Sequence, residues 1–381
     1  MQNNLDILII NSVESLGILV LKTLAEDNGL NADYFVATDS NTIINKILEI
    51  KPKILAISWN FDFIIYDVLI KLEKIKKRLP NLRVTVGGYG ATNDLIHLKE
   101  YTEIDIITTG ESDDTFIPTC KYLLSDYYIK GIKPLVIVPK CIPKLDNYNY
   151  DKNILVKNDV IYTMTSRNCI KGENRCWYCT CSKTGFRFLD FSKVIQSIKR
   201  VITPKTKQIV LADAEVIAKT VNSLWNIFHK PLNCFMLARD LCNLDETVEG
   251  CHFIVGVDYY VPGKNGNFID AQMIKDIKKC AEKNKISISS VYSEEDDPAE
   301  REKTFAILKR LSDKNENIDV TFPKLVMYPG TNDIELKENI YLNPIDFEKR
   351  FTDIGALGEY NTNGQDQISF TTWEEAFDIP R

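Results

Sequence analysis

Leu5-Asp6-Ile7-Leu8-Ile9-Ile10-Asn11 is a continuous apolar run, the pattern of a strand buried on both faces. Outward from it, residues 14–27 place Leu16, Leu19, Val20, Thr23 and Leu24 near helical period, and Gly29 is the stop. The pair then repeats. Residues 33–37 read as strand and 41–50 as helix; 53–58 read as strand and 62–79 as one long amphipathic helix ended by Pro80. Residues 82–86 form a strand running into Gly87-Gly88, 104–108 a last strand before Gly110-Glu111, and 113–125 a helix. Strands alternating with helices predict a doubly wound parallel sheet, whose ligands sit at the carboxyl ends of the strands.

The chain has 381 residues, which at roughly 150 per domain suggests two or three domains. Hydrophobic residues make up 44% and charged residues 26%, an ordinary globular balance. The net charge of −6 speaks against a strongly basic nucleic-acid binder. No stretch of about 18 uncharged apolar residues predicts a membrane span. Met1-Gln2-Asn3-Asn4 lacks the basic start of a signal peptide, so a cytoplasmic location is expected. There ten cysteines are not a disulfide framework. None falls in the first 119 residues, and four fall between Cys169 and Cys181. Only His97, His229 and His252 are present, which argues against an imidazole-built metal site or a His-centred triad.

Residues 118–158, with Pro118, Pro134, Pro139 and Pro143, read as an irregular linker. A strand over 160–167 leads into Cys169, Cys176 and Cys179, spaced Cys-x6-Cys-x2-Cys. This is a thiolate site. Zinc normally takes four ligands and Cys181 offers a fourth, so a Zn(Cys)4 site stays open. The position after a strand favours iron–sulfur, because a catalytic loop of a (β/α) barrel belongs there. Helices are then expected at 191–202, 215–228, 269–284 and 298–315, with strands at 207–212, 232–237, 251–257, 286–291 and 318–326. With the first strand these make six βα units. Cys234, Cys242 and Cys280 read as small apolar residues.

Several segments carry a family resemblance. Ser12-Val13-Glu14-Ser15-Leu16-Gly17, Ser58-Trp59-Asn60 and Gly87-Gly88 are separated much as in the cobalamin-binding signature DxHxxG, SxL and GG. The aspartate is Ser12 here and the cobalt-ligating histidine is Glu14. The segments 86–92 and 108–116 resemble those of cobalamin domains fused to radical SAM enzymes, which lack that histidine. Thr165-Ser166-Arg167-Asn168-Cys169 with Cys176-Trp177-Tyr178-Cys179 looks like the opening of a radical SAM domain, with a first loop three residues longer.

The chain thus resembles the cobalamin-dependent radical SAM enzymes over roughly residues 1–350. The resemblance implies an α/β fold: a Rossmann-like (flavodoxin-like) cobalamin-binding domain at 1–130, a linker at 131–158, a partial (β/α)6 radical SAM barrel at 159–335, and an extension at 336–381. It implies a 4Fe–4S cluster on Cys169, Cys176 and Cys179. S-adenosylmethionine would meet Tyr178, Asp213 or Glu215, Arg239 and Asp258. Cobalamin, as methylcobalamin, would meet Glu14, Gly17, Ser58, Trp59, Asn60, Gly87, Gly88, Thr92, Gly110 and Glu111. The implied activity is a class B C-methyltransferase that forms a 5′-deoxyadenosyl radical and methylates an unactivated carbon. Its substrate is expected to be a peptide or protein, or else a small molecule, with an external low-potential electron donor and no nucleic acid or membrane. Alternatives are a non-methylating rearrangement, cyclisation or oxidation, and a non-catalytic cobalamin- or zinc-binding regulator. A methylthiotransferase is disfavoured, since that family needs three cysteines in its first domain.

Overall fold

The computed structural model describes residues 5–60, 62–139, 145, 148–170, 185–257, 271–290 and 297–322. They fall into two compact units that divide between Asn153 and Ile154.

In the first unit β1 (Ile7–Asn11) is buried at every position. Helix α1 (Leu16–Asp27) begins where the Ser15 hydroxyl accepts from the Ile18 amide. Then come β2 (Ala32–Val36), α2 (Ser40–Ile50) capped by Asp39, and β3 (Ile54–Ser58). The stretch expected as one helix is two, α3 (Phe63–Ile70) and α4 (Leu72–Arg78), joined at Lys71. Hydrophobic period alone does not register such a break, because Leu69, Leu72 and Ile75 keep one buried face across it. The unit continues with β4 (Arg83–Gly87), the short α5 (Tyr89–Asn93) and α6 (Leu95–Leu98), β5 (Ile106–Thr108), α7 (Phe116–Leu124) and β6 (Leu135–Ile137).

The strand order is β2-β1-β3-β4-β5-β6, and every neighbouring pair is parallel. This is the flavodoxin-like order with one strand added. Successive residues of β1 feed opposite cores: Leu8 and Ile10 pack with Leu55, Ile57 and Val86, while Ile7 and Ile9 pack with Ile54, Ile106 and Phe116. Strand β6 lies in the stretch expected to be linker. Three residues between Pro134 and Pro139 are too few to show a strand period, and pairing with β5 is what makes them a strand.

Asp105 ties this unit together. Its carboxylate accepts from Lys76 Nζ at 2.8 Å, the Val84 amide at 2.6 Å and Tyr128 Oη at 2.6 Å. Burial draws the Lys76 ammonium down while Asp105 pulls it up, and burial with Asp105 beside it pushes the Tyr128 hydroxyl well up. Asp105→Ala leaves a largely buried cation and an amide without their acceptor. We expect a loss of about 3 kcal/mol in urea denaturation. A loss below about 1 kcal/mol would show that water replaces the carboxylate.

The second unit opens with a hairpin, β7 (Leu155–Lys157) and β8 (Val160–Thr163), antiparallel to each other. Its two turn residues, Asn158 and Asp159, have φ of 53° and 66°, the left-handed pair that a tight hairpin of this twist requires. A two-stranded ribbon of β9 (Ser166–Arg167) and β10 (Arg187–Phe188) precedes α8 (Phe191–Val201). Then follow β11 (Gln208–Leu211), α9 (Ala218–Phe228), β12 (Leu232–Leu237), a 3-10 turn (Ala238–Asn243) and β13 (His252–Gly256). Last come α10 (Ala271–Ala281), β14 (Lys285–Ser289), α11 (Pro298–Asp313) and β15 (Ile318–Thr321).

The second sheet runs β15-β14-β13-β12-β11-β8-β7, parallel except for the last pair. The expected partial (β/α)6 radical SAM barrel is corrected here to mixed α/β with parallel sheets. Among the described residues the sheet carries a seventh strand, β7, antiparallel to β8, beyond the six parallel βα units expected. The hairpin turn lays β7 on the side of β8 that a barrel reading leaves to the linker.

Candidate functional site

In the second unit the polar residues gather where β8, β11 and β12 end. Asp213, just past β11, is fully buried. Its carboxylate accepts from the Thr165 amide at 2.9 Å and 3.0 Å, from the Ser166 amide, and from the hydroxyls of Thr165 and Ser166 at 3.2 Å and 2.6 Å. Burial pushes this carboxyl up to about 6, against the pull of those donors. Asp213 therefore clamps the chain that follows β8 and is committed within the protein.

The clamped segment runs to Asn168, a buried non-glycine residue with φ of 65°. Asparagine is one of the few residues besides glycine that adopts this left-handed turn readily, and here it turns the chain into Cys169. Cys169 follows, half-buried, and its thiol donates to Glu215 Oε2 at 3.1 Å. Glu215 itself is buried. The strand-end loops thus bring together two predicted residues, Cys169 and Glu215. Arg239 stands exposed at the head of the 3-10 turn after β12, next to Asp240, whose carboxyl burial pushes up and Arg239 pulls down. Cys176, Tyr178, Cys179, Cys181 and Asp258 lie outside the described residues. Thr165, Ser166 and Asn168 were missed as contributors. Their signal was a pair of hydroxyl residues immediately after a strand, facing an Asp-x-Glu after the next.

The first unit's predicted residues tell a different story. Trp59 is a core residue, packed among Leu8, Ile57 and Val86. Its amide donates to Gly87 O at 2.9 Å, its carbonyl accepts from the Gly90 amide at 2.9 Å, and its indole donates to Asp62 O at 3.3 Å. Gly88 has φ of 96°, and a Cβ there would stand 2.5 Å from Trp59 O. A Cβ on Gly90 would stand 2.4 Å from the Trp59 ring. Gly88 and Gly90 are thus required by the chain's own Trp59. At Gly17, exposed on α1, a Cβ would meet only Ser15 Oγ at 3.7 Å, so no close approach requires glycine. Glu14 accepts from Tyr34 Oη at 3.1 Å. Thr92 Oγ1 donates to Gly88 O at 2.9 Å and accepts from the Gly110 amide at 2.8 Å, which ties two strand-end loops together. Ser58 accepts from Asn11 Nδ2 at 3.4 Å, Asn60 is exposed, and Glu111 is half-buried.

Ser58, Gly87, Gly88 and Thr108 border a cavity of about 40 Å³, close to the room of one water. A larger cleft of about 600 Å³ lies elsewhere, on α1 and α7, bordered by Asp27, Asp113, Lys121 and Tyr148. Among the described residues no group of three or more His, Cys, Asp or Glu is placed to hold a metal ion.

Comparison with known proteins bears on the family expectation. No family profile matches the chain, and no curated protein matches it. The solved structures found include a D-isomer-specific 2-hydroxyacid dehydrogenase from Lactobacillus delbrueckii ssp. bulgaricus in its NAD complex, 8% identical, covering 95% of this chain and 99% of that one, with a TM-score of 0.22. A D-lactate dehydrogenase from Escherichia coli is 11% identical, covers 94% and 98%, and has a TM-score of 0.20. One from a Sporolactobacillus species is 10% identical, covers 88% and 95%, and has a TM-score of 0.17. Scores this low carry no argument that this chain shares their fold, NAD or chemistry.

No family profile and no curated protein supports the resemblance, and the expectations built on it are withdrawn. They are membership of the cobalamin-dependent radical SAM family, the C-methyltransferase activity with its alternatives, and the 4Fe–4S, S-adenosylmethionine and cobalamin cofactors. No described helix is long and apolar enough to cross a membrane.

Proposed function

We propose that the chain is a ligand-binding α/β protein whose working centre is the Cys169–Glu215 pair at the strand ends of the second unit. The observation that supports this is the 3.1 Å thiol–carboxylate contact, set in a loop that the buried Asp213 holds in place. Strand carboxyl ends are where open parallel sheets bind ligands. In this reading Cys169 is the reactive group, Glu215 accepts a hydrogen bond from its thiol and fixes its place, Asp213 is a positioning residue, and exposed Arg239 meets an anionic part of a small molecule or peptide. A cytoplasmic location fits a chain in which no disulfide joins two described cysteines.

Native alkylation with iodoacetamide followed by peptide mapping tests the centre. Burial pushes the Cys120 and Cys251 thiols up to about 12 and Cys280 up to about 11, so these stay protonated and shielded. Cys169 is expected to react at least about tenfold faster than they do. Labelling of Cys169 as slow as that of Cys251 would remove the basis for a working thiol.

A further inference from the structure

We infer that the first unit pairs with a second copy of this chain through β6, making one continuous sheet across a two-fold axis. Among the described residues strand β6 is an edge of its sheet. The Leu135 amide donates to Asp105 O, and Ile137 O accepts from the Thr109 amide, so residues 135 and 137 bond inward to β5. Val136 therefore turns its N–H and C=O to the open side. An antiparallel mate centred on Val136 brings that residue opposite itself, and the two copies exchange both bonds. Two residues outward, the Val138 amide of each copy meets the Pro134 carbonyl of the other. The missing proline N–H is not needed for that bond.

The flanks supply the apolar surface. Tyr127, Ile129 and Ile132 are more than 80% exposed, and Leu135 and Val138 more than half. Side chains of this size at those exposures present on the order of 700 Å² per copy, near the ~800 Å² per partner that stable interfaces bury. Lys133 is already paired with Glu100 at 3.2 Å, and exposed Lys130 lies between Ile129 and Ile132. Exposed apolar side chains beside an open edge mark an interaction surface, and the self-complementary bonding of the edge selects a second copy.

Sedimentation velocity of the full chain from ~1 to 100 µM tests this. The mass is expected to rise with concentration from 43.6 kDa towards twice that value. Val136→Pro removes the outward N–H without touching the bonds to β5, and should weaken the dimer at least about tenfold. Should that variant fail to fold, Ile129→Lys with Ile132→Lys, both on exposed positions, should do the same. A monomer at every concentration overturns the inference, as does a dimer that survives these substitutions.

Discussion

Asp213→Ala is expected to lower the stability of the second unit by about 4 kcal/mol, read as a shifted urea midpoint for that unit. Two amides and two hydroxyls point at this carboxylate from Thr165 and Ser166, and alanine leaves all four without it. Buried donors without acceptors cost about 1–3 kcal/mol each, partly relieved by entering water. The same residue sets a pH dependence. Its folded carboxyl is pushed up to about 6 from an ordinary 3.8, so between those values the folded state holds a proton that the unfolded chain has lost. The resulting stabilisation is complete below pH 3.8 and disappears as pH rises through about 6. Relative to Asp213→Asn, the wild type should therefore lose on the order of 3 kcal/mol between pH 4 and pH 7. Parallel pH curves for the two proteins would show that the carboxyl is not displaced from its usual range.

The glycines after β4 give the second large effect. Gly88→Ala combines a left-handed backbone with a Cβ 2.5 Å from the Trp59 carbonyl, and Gly90→Ala drives a Cβ to 2.4 Å from the Trp59 ring. Each is expected to cost about 3 kcal/mol or more, because a packed core accommodates neither contact without shifting. The two differ in remedy. Trp59→Leu removes the ring that Gly90→Ala strikes, so the double variant should lose clearly less than the sum of the single losses. It leaves the backbone carbonyl that Gly88→Ala strikes, and there the losses should add. Relief in both pairs would mean that the ring alone demands the glycines.

Much of the fold was legible in the chain. The buried run at 5–11, the alternation through 124 and the strands at 232–237 and 252–256 follow from apolar period and helix caps. Strand β6 was not legible, since a three-residue edge strand between prolines exists only through its neighbour. Nor was β7, which depends on two left-handed residues, Asn158 and Asp159, inside a stretch read as linker.

At the sites, residue identity misled where it outran geometry. Gly88 reads equally as a ligand cradle or as space for a neighbouring backbone, and the position of Trp59 accounts for its missing Cβ; a Cβ on Gly87 would meet only ordinary contacts from Thr108 and Ser112. Asp213 and Glu215 lie two apart and look interchangeable. One turns to the backbone after β8 and the other to Cys169, a division that depends on the path of the loop. The family resemblance left them interchangeable too, giving one or the other to a ligand's ammonium.

The most direct test of the account is the alkylation rate of Cys169 relative to exposed Cys242 in the wild type and in Glu215→Gln. If thiol and carboxylate form one centre, the neutral amide removes the repulsion that a thiolate at Cys169 would meet. The Cys169 rate should then rise about 3- to 10-fold while the Cys242 rate holds. An unchanged ratio of the two rates would contradict the account, because Cys169 and Glu215 would then be neighbours that do not interact.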